Sequence, residues 1–302
     1  MKILVTAKVH PDLDGTACTL AYADLLNRTG KKATGLIFGN PQSEVKFFIK
    51  EQGISIPISS KKEQYEGFIL VDASSMKGMP EVVKQDKVIE IIDHRAGEPE
   101  KEFPGAKIQN DLIGAAATIV VERFQSAGLH PNPDHAKLLY GAIFHNTLNL
   151  TSSNVSDRDK TAIKYLESQF DLTRDLISGM FRYTSNLIFS DLTLAVNNDA
   201  KEFAVYNTKI GAYQLILWDF QPGEWKAKIG TAVGEADLAM GCPWSFLNII
   251  DLKTNTSFIY CAKPVGQNII SRSLSVSFVD SWAKLTPALL RKQIMPRLLS
   301  SG

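Results

Sequence analysis

The chain of 302 residues carries 33 lysines and arginines against 32 aspartates and glutamates, a formal net charge of +1. That balance excludes the broad basic field that draws a protein onto a nucleic-acid duplex or an anionic membrane, so any anion binding must come from local clusters. The length exceeds what one core usually supports, so two domains are expected, while three scattered cysteines, Cys18, Cys242 and Cys261, argue for a reducing compartment and against disulfides.

In chain order, the apolar run Ile3-Leu4-Val5 reaches Lys8 too early for a signal-peptide core, and no apolar stretch approaches a membrane span, so a cytoplasmic protein is expected. Short β-rich runs at residues 3–6, 33–38, 68–71 and 88–92 alternate with helical spacing at 15–26 and 43–52, and Gly30 and Gly53 stand where helices commonly stop. That alternation predicts an α/β domain, a parallel sheet with helices on both faces. Residues 114–124, 134–147, 157–170 and 172–187 then read as helices with apolar stripes, closing a first domain over 1–187. From residue 192 strands reappear at 203–207, 213–218, 246–251 and 257–261. Between the second and third of these, a helix at 224–240 puts Trp225, Ile229 and Val233 on one face. Residues 188–302 are therefore expected to form a smaller α+β domain.

Three clusters capable of chemistry each follow a strand of the first domain, where ligands bind in open parallel sheets. His10-Pro11-Asp12-Leu13-Asp14-Gly15 offers two carboxylates at i and i+2 as hard oxygen ligands. Asp72 ends the strand Ile69-Leu70-Val71. Asp93-His94-Arg95 offers an imidazole ligand, a neighbouring carboxylate able to orient it, and a guanidinium suited to phosphate. Taken singly, Asp12 and Asp14 read equally as helix caps and Asp72 as a turn residue. Together they gather negative charge in one crevice, for which a divalent cation is the natural compensation. His130 and His135 read as surface-loop residues, His145 as either a site neighbour or a packed side chain, and Ser271-Arg272-Ser273 as an exposed strand.

With these residues quoted, the sequence resembles the DHH phosphoesterase superfamily, in particular its manganese-dependent (family II) inorganic pyrophosphatases and related exopolyphosphatases. Pro11-Asp12-Leu13-Asp14 resembles the family's first motif, Val71-Asp72-Ala73 its second, and Asp93-His94-Arg95 its Asp-His-His motif. Gly114-Ala115-Ala116-Ala117-Thr118 is similar to the helix start that follows, and His145-Asn146-Thr147-Leu148 to the fourth motif. Asp199-Ala200-Lys201-Glu202-Phe203 and Arg291-Lys292-Gln293-Ile294-Met295-Pro296 resemble the two basic motifs that hold substrate phosphate.

The resemblance implies a hydrolase of pyrophosphate, short polyphosphate or a small phosphoester in an interdomain cleft. It implies one or two Mn2+ (or Mg2+) ions on Asp12, Asp14, Asp72, His94 and Asn146, with Arg95, Lys201, Arg291 and Lys292 binding phosphate. It also implies a homodimer, a small phosphate-containing substrate, and neither duplex nucleic acid nor membrane as a partner. Four departures from the pattern stand out: Lys8 replaces a histidine ligand, Arg95 the second histidine of the naming motif, Asn146 an aspartate, and Leu289-Leu290 a Ser-Arg pair before Arg291. Losing anionic ligands and gaining cations predicts a weakened second metal site, with Arg95 and Lys8 as fixed catalytic cations. Two alternatives stay open: a non-catalytic phosphate or nucleotide sensor on the same frame, and a small-nucleotide phosphodiesterase, which usually carries a Gly-Gly-rich loop that this chain lacks.

Overall fold

The computed structural model describes residues 1–59 and 64–300, and the chain divides into two compact units, Met1–Met180 and Phe181–Gly302. In the first, β1 (Lys2–Thr6), α1 (Leu13–Arg28), β2 (Lys32–Gly35), β3 (Ile37–Phe38), α2 (Ser43–Lys50), β4 (Ile58–Ser59) and β5 (Gly67–Val71) are followed by β6 (Val88–Asp93), α3 (Pro99–Glu102) and β7 (Lys107–Asn110). Helices α4 (Ala116–Ser126), α5 (Pro133–Asn146), α6 (Asp157–Gln169) and α7 (Arg174–Ser190) come next, and the expected boundary between residues 187 and 188 falls inside α7.

The main sheet has the order β2-β1-β5-β6-β7 and every pairing in it is parallel. All five residues of β5 and four of the five in β1 are buried, as strands covered on both faces must be. Leu4, Phe68 and Leu70 pack with Val83 and Phe103 on one side of the sheet. On the other side lies α1, with α4 and α5 packed against it. The chain leaves β1 for β2 on one side and later returns to β5 on the other, so the strand order reverses beside β1. That reversal opens a crevice at the carboxyl ends of β1 and β5.

In the second unit, α8 (Leu192–Asn198), β8 (Lys201–Val205), β9 (Thr208–Leu217), α9 (Pro222–Met240), β10 (Ser245–Asp251), β11 (Thr256–Tyr260), α10 (Pro264–Leu274), β12 (Trp282–Leu285) and α11 (Arg291–Ser300) build a mixed sheet of order β12-β11-β10-β9-β8. Only β9 and β10 run parallel. Period-two alternation gives it two cores. Phe246 and Ile259 pack with Ile270, Ile294 and Leu298 from α10 and α11. Tyr213, Leu215, Leu247 and Ile249 pack with Ile229 and Val233 of α9 and with Leu192 and Val196 of α8.

Two expectations are corrected here. Residues 192–198 are helical rather than the start of the strands: Asp191 caps the segment by accepting from the Leu194 amide, and Leu192 and Val196, four residues apart, both pack into the α9 core. Ser271-Arg272-Ser273 lies on α10, not on an exposed strand, because Pro264 opens a helix whose Gly266, Ile270 and Leu274 are spaced to bury one face.

Candidate metal centre

The crevice at the strand reversal is filled by side chains from three successive strand ends. After β1 the chain turns at His10, whose φ is 59°. Its ring Nδ1 then lies 3.1 Å from the Asn40 carbonyl, so His10 points away from the cluster. Asp12 is the N-cap of α1, its Oδ1 accepting from the Gly15 amide at 3.0 Å, and the capping role proposed for it as an alternative is present. Asp14, two residues on, sits in the first turn of α1 and is 1 % exposed. Asp72 follows β5 with φ of 50°, a left-handed conformation that Asp tolerates better than most residues. His94 follows β6.

One ligand atom from each of Asp14, Asp72 and His94 lies within 4.8 Å of the others. His94 Nε2 is 3.4 Å from Asp72 Oδ1 and 3.7 Å from Asp14 Oδ2. Its other nitrogen, Nδ1, is 3.1 Å from the Ile113 carbonyl, a contact that places a ring proton on Nδ1 and leaves Nε2 facing the carboxylates, where it donates to Asp72 when protonated and would offer its lone pair to a cation when not. The adjacent carboxylate does not orient the imidazole as expected: Asp93 Oδ1 instead accepts from the His94 backbone amide at 2.8 Å and from Arg95 Nε at 3.2 Å. Two carboxylates and an oriented imidazole form a donor set suited to Mn2+ or Mg2+.

The backbone fixes Asp14. Both its oxygens accept amide protons from the first turn of α4, Ala116 to Oδ2 and Ala117 to Oδ1, each at 2.8 Å, so the helix N-terminus holds the carboxylate. Asn146, the last residue of α5, adds a third bond, Nδ2 to Asp14 Oδ2 at 2.6 Å, and the same nitrogen is 3.3 Å from His94 Nε2. As placed, its amide nitrogen rather than its oxygen faces the cluster. The turn before α4 is held by buried Asp159, which accepts from the Gly114 amide at 2.9 Å and the Thr118 hydroxyl at 2.6 Å. A Cβ on Gly114 would come within 2.5 Å of Thr147 and 2.7 Å of Asp159, so only glycine fits there.

Electrostatics follow from crowding like charges in a buried place. Burial, then the neighbouring charge of Asp72, pushes the Asp14 carboxyl up to about 7. Asp72 is pushed up to about 6, again by burial first, although its hydrogen bond to His94 opposes this. For His94 burial disfavours the charged ring, but the hydrogen bond to Asp72 and the charges of Asp14 and Asp72 outweigh it and raise the group to about 9. Without a cation the cluster holds protons between these groups; a divalent ion would take their place.

Among the remaining expected residues, Arg95 closes one side of the cluster. Its Nη2 donates to both the carbonyl and the carboxylate of Asp72, so its charge is applied directly to a candidate ligand. Lys8 lies beside Gly78 and makes no ion pair among the described residues. His145 is 3.9 Å from buried Glu44, His130 stacks on Tyr165, and His135 contacts Asn132; none joins the Asp14–Asp72–His94 group.

The second unit brings Lys201, Arg291 and Lys292 to the wall of one cavity of about 520 Å3. Arg291 is 7 % exposed, and its guanidinium donates to both Asp199 carboxylate oxygens and to the Ala212 carbonyl at 3.0 Å. The side chains of Lys201 and Lys292 are exposed and make no hydrogen bond or ion pair among the described residues.

Residues that sequence reasoning passed over are the Ile113 carbonyl, the clamp at Asp159 and the α4 amides as acceptor-holding groups. Asp159 left a signal through the Ser156–Asp159 capping box at the start of α6, and the α4 amides through the helix-start motif Gly114–Thr118, which does not by itself say what they hold.

Residues 2–143 match the model of the DHH family, N-terminal domain. The chain is 25 % identical over 308 residues to a Bacillus licheniformis protein named "probable manganese-dependent inorganic pyrophosphatase", covering 98 % of this chain and 97 % of that one. Its fold is shared with a Methanococcus jannaschii protein described as a "putative family II inorganic pyrophosphatase", with a TM-score of 0.64 at 20 % identity and 99 % of each chain covered. It is shared also with an exopolyphosphatase-related protein from Bacteroides fragilis, with a TM-score of 0.54 at 14 % identity, covering 99 % of this chain and 91 % of that one. No helix among the described residues is long and apolar enough to cross a membrane.

Proposed function

With residues 2–143 forming a DHH-family domain, we propose that this protein is a metal-dependent hydrolase of phosphoanhydride or phosphoester bonds, acting on pyrophosphate, short polyphosphate or a small phosphoester. The observation that carries this reading is the convergence of buried Asp14 and Asp72 with partly buried His94 within 4.8 Å. The names of the pyrophosphatase relatives support it independently.

The cation-holding residues are Asp14, Asp72 and His94, and Mn2+ or Mg2+ bound there would supply an acidified water and a polarised phosphoryl oxygen. Around it the chain's own residues do the positioning. The α4 amides and Asn146 hold Asp14, and Ile113 fixes the tautomer of His94. Arg95 contributes a fixed positive charge beside Asp72 that favours charge developing on a transferred phosphoryl group. A guanidinium does not titrate near neutrality, so Arg95 is no general acid. In the reaction water supplies the new oxygen on phosphorus, the bond from phosphorus to the leaving oxygen breaks with its electron pair, and the proton the water gives up to solvent is matched by one that solvent returns to the leaving oxygen. Lys201 and Lys292, both exposed, are the cations assigned to substrate phosphate, whereas the Arg291 guanidinium is committed to Asp199.

The test is phosphate release by metal-stripped protein, with and without added Mn2+ or Mg2+, across pyrophosphate, tripolyphosphate and nucleotide phosphoesters. Metal-dependent turnover of any of them supports the hydrolase. Silence across the panel with phosphate compounds still bound would replace it with a phosphate sensor.

A further inference from the structure

Glu44, in the first turn of α2, is 3 % exposed, and no lysine or arginine pairs with it among the described residues. A carboxylate buried on those terms costs stability unless something specific holds it. Its two oxygens reach different parts of the chain. Oε1 accepts the backbone amide of Leu13 at 3.2 Å, whereas Oε2 lies 3.9 Å from His145 Nε2 and accepts from the Ser43 hydroxyl at 3.4 Å. Leu13 is the first residue of α1, where an amide has no partner within its own helix. Glu44 therefore caps α1 from outside and sets a negative charge at the positive end of that helix.

Packing one turn further along α2 sets this register. Phe48, four residues after Glu44, lies against α5 at Gly141, four residues before His145. A Cβ on Gly141 would stand 2.5 Å from the Phe48 ring and 3.1 Å from the Leu13 side chain, so α1, α2 and α5 close on one point with no space for a side chain. Residues four apart share a helix face, and seating Phe48 on Gly141 brings Glu44 opposite His145. The Gln42 amide also donates to the Pro11 carbonyl at 3.1 Å, tying the start of α2 to the same loop.

The two groups that Glu44 joins are neighbours of the cluster. Leu13 stands between Asp12 and Asp14, and His145 precedes Asn146, whose Nδ2 donates to Asp14 Oδ2 at 2.6 Å. We propose that Glu44 is a positioning residue: its carboxylate couples the start of α1 to the end of α5 and so keeps Asp14 and Asn146 in hydrogen-bonded register. This rests on the proposed hydrolase only for its consequence, that a cation held by Asp14 feels the loss of that register. His145 then serves the centre through Glu44 and Asn146 rather than as a ligand.

The test uses three variants of the full-length protein, with circular dichroism to establish that each is folded. Glu44→Met keeps the volume and removes both contacts, Glu44→Gln keeps an oxygen for the Leu13 amide, and His145→Ala removes only the contact with α5. Hydrogen exchange is read first, without added metal. In Glu44→Met the amides of Leu13 and of Thr147, Leu148 and Asn149 after α5 should exchange about tenfold faster. Glu44→Gln should keep the Leu13 amide slow, and His145→Ala should speed only the three after α5. Exchange unchanged at either segment in Glu44→Met, or at the second in His145→Ala, overturns the proposal. Calorimetric titration with Mn2+ follows. Affinity should fall about tenfold in Glu44→Met, the lower end of what losing a partner of a metal ligand costs, and recover in large part in Glu44→Gln. Glu90→Gln is the control for stability alone, since Glu90 is also buried but bonds to Tyr22 and Arg123. It should melt at a lower temperature and keep its Mn2+ affinity. Affinity unchanged in Glu44→Met, or lowered as far in Glu90→Gln, overturns the role of Glu44. Wild-type protein that binds no Mn2+ defeats the hydrolase reading instead, and the exchange results then decide Glu44 by themselves.

Discussion

In the first unit Asp14 and Asp72 are almost fully buried, and their oxygens are held by backbone amides, Asn146, His94 and Arg95. In the second unit Lys201 and Lys292 stand exposed with no fixed partner among the described residues. The difference reflects what each charge has to do. Two buried carboxylates are costly unless a cation or protons compensate them, so a fold that keeps them must fix them rigidly and leave a definite place for a positive charge. Exposed ammonium groups cost little, need no scaffold, and attract whatever anion the rest of the pocket accepts. Chemistry is expected to be concentrated in the first region and selectivity in the second.

The strongest attempt to break that division is Asp72→Asn. The substitution keeps the side-chain shape and tolerates the left-handed backbone at 72 but removes the charge shared by His94 and Arg95. Turnover should fall by about a thousandfold, the order seen when a group that stabilises the transition state is deleted, and metal retained after gel filtration should fall with it. Full activity of a metal-loaded Asp72→Asn protein would show that the cluster is not the reaction centre.

Arg291 is the exception in the second unit, a basic residue built like the first region. Removing its charge in Arg291→Met leaves Asp199 facing a vacated ion-pair position. Because Asp199 remains about a third exposed, we expect a loss of about 2 kcal/mol in urea unfolding, less than for a fully buried pair. Lys292→Met should cost under about 0.5 kcal/mol, as surface changes usually do. Equal losses from both would mean that Arg291 is no more structural than its neighbour.

These contrasts also mark how far the sequence was legible. Asp14, Asp72 and His94 could be found because each follows an apolar run long enough to be a buried parallel strand, and strand ends converge wherever strand order reverses. The family resemblance then grouped them. The groups that hold them could not be found the same way. Ile113 contributes a carbonyl, and Ala116 and Ala117 contribute amides, which every non-proline residue possesses, so the residue types carry no signal. Asp159 shows itself as half of a capping box, but its bond to Gly114 spans 45 residues that local pattern does not connect. Arg95 looks from its neighbours like a phosphate ligand, and only the fold reveals that Asp72 already takes its Nη2. Helices α8 and α10 were missed for a related reason: each is short, and tertiary packing decided the conformation of its apolar residues.

A smaller change would sharpen the charge comparison by making the first region more anionic still. Asn146 donates to Asp14 Oδ2 at 2.6 Å, so Asn146→Asp replaces a donor with a second carboxylate at hydrogen-bond distance. Without metal the two groups repel or share a proton; with metal the added oxygen strengthens the site. Mn2+ affinity measured by calorimetry should rise about tenfold, the scale on which groups beside a metal usually act. Unchanged or weaker affinity would mean that Asn146 serves chiefly to clamp Asp14, and that the clamp outweighs the extra charge.

The mildest probe is pH, and its sign is fixed by the buried cluster. Asp14 and Asp72 rise from 3.8 to about 7 and about 6, and His94 rises from 6.5 to about 9, so the metal-free folded protein binds more protons than the unfolded chain across that span. These values belong to the coupled cluster rather than to separate sites. A raised folded-state value means stabilisation that is complete below the unfolded value and lost as pH climbs through the folded one, so metal-free stability should decline from about pH 4 to about pH 9. A bound cation must displace those protons, and its affinity therefore rises over the same interval. Melting curves with and without Mg2+ should diverge by a few degrees more at about pH 8 than at about pH 5, the metal-free curve falling and the metal-loaded one holding. Parallel curves would mean that no cation competes with these protons, and the first region would then be an ion-paired core with no metal to bind.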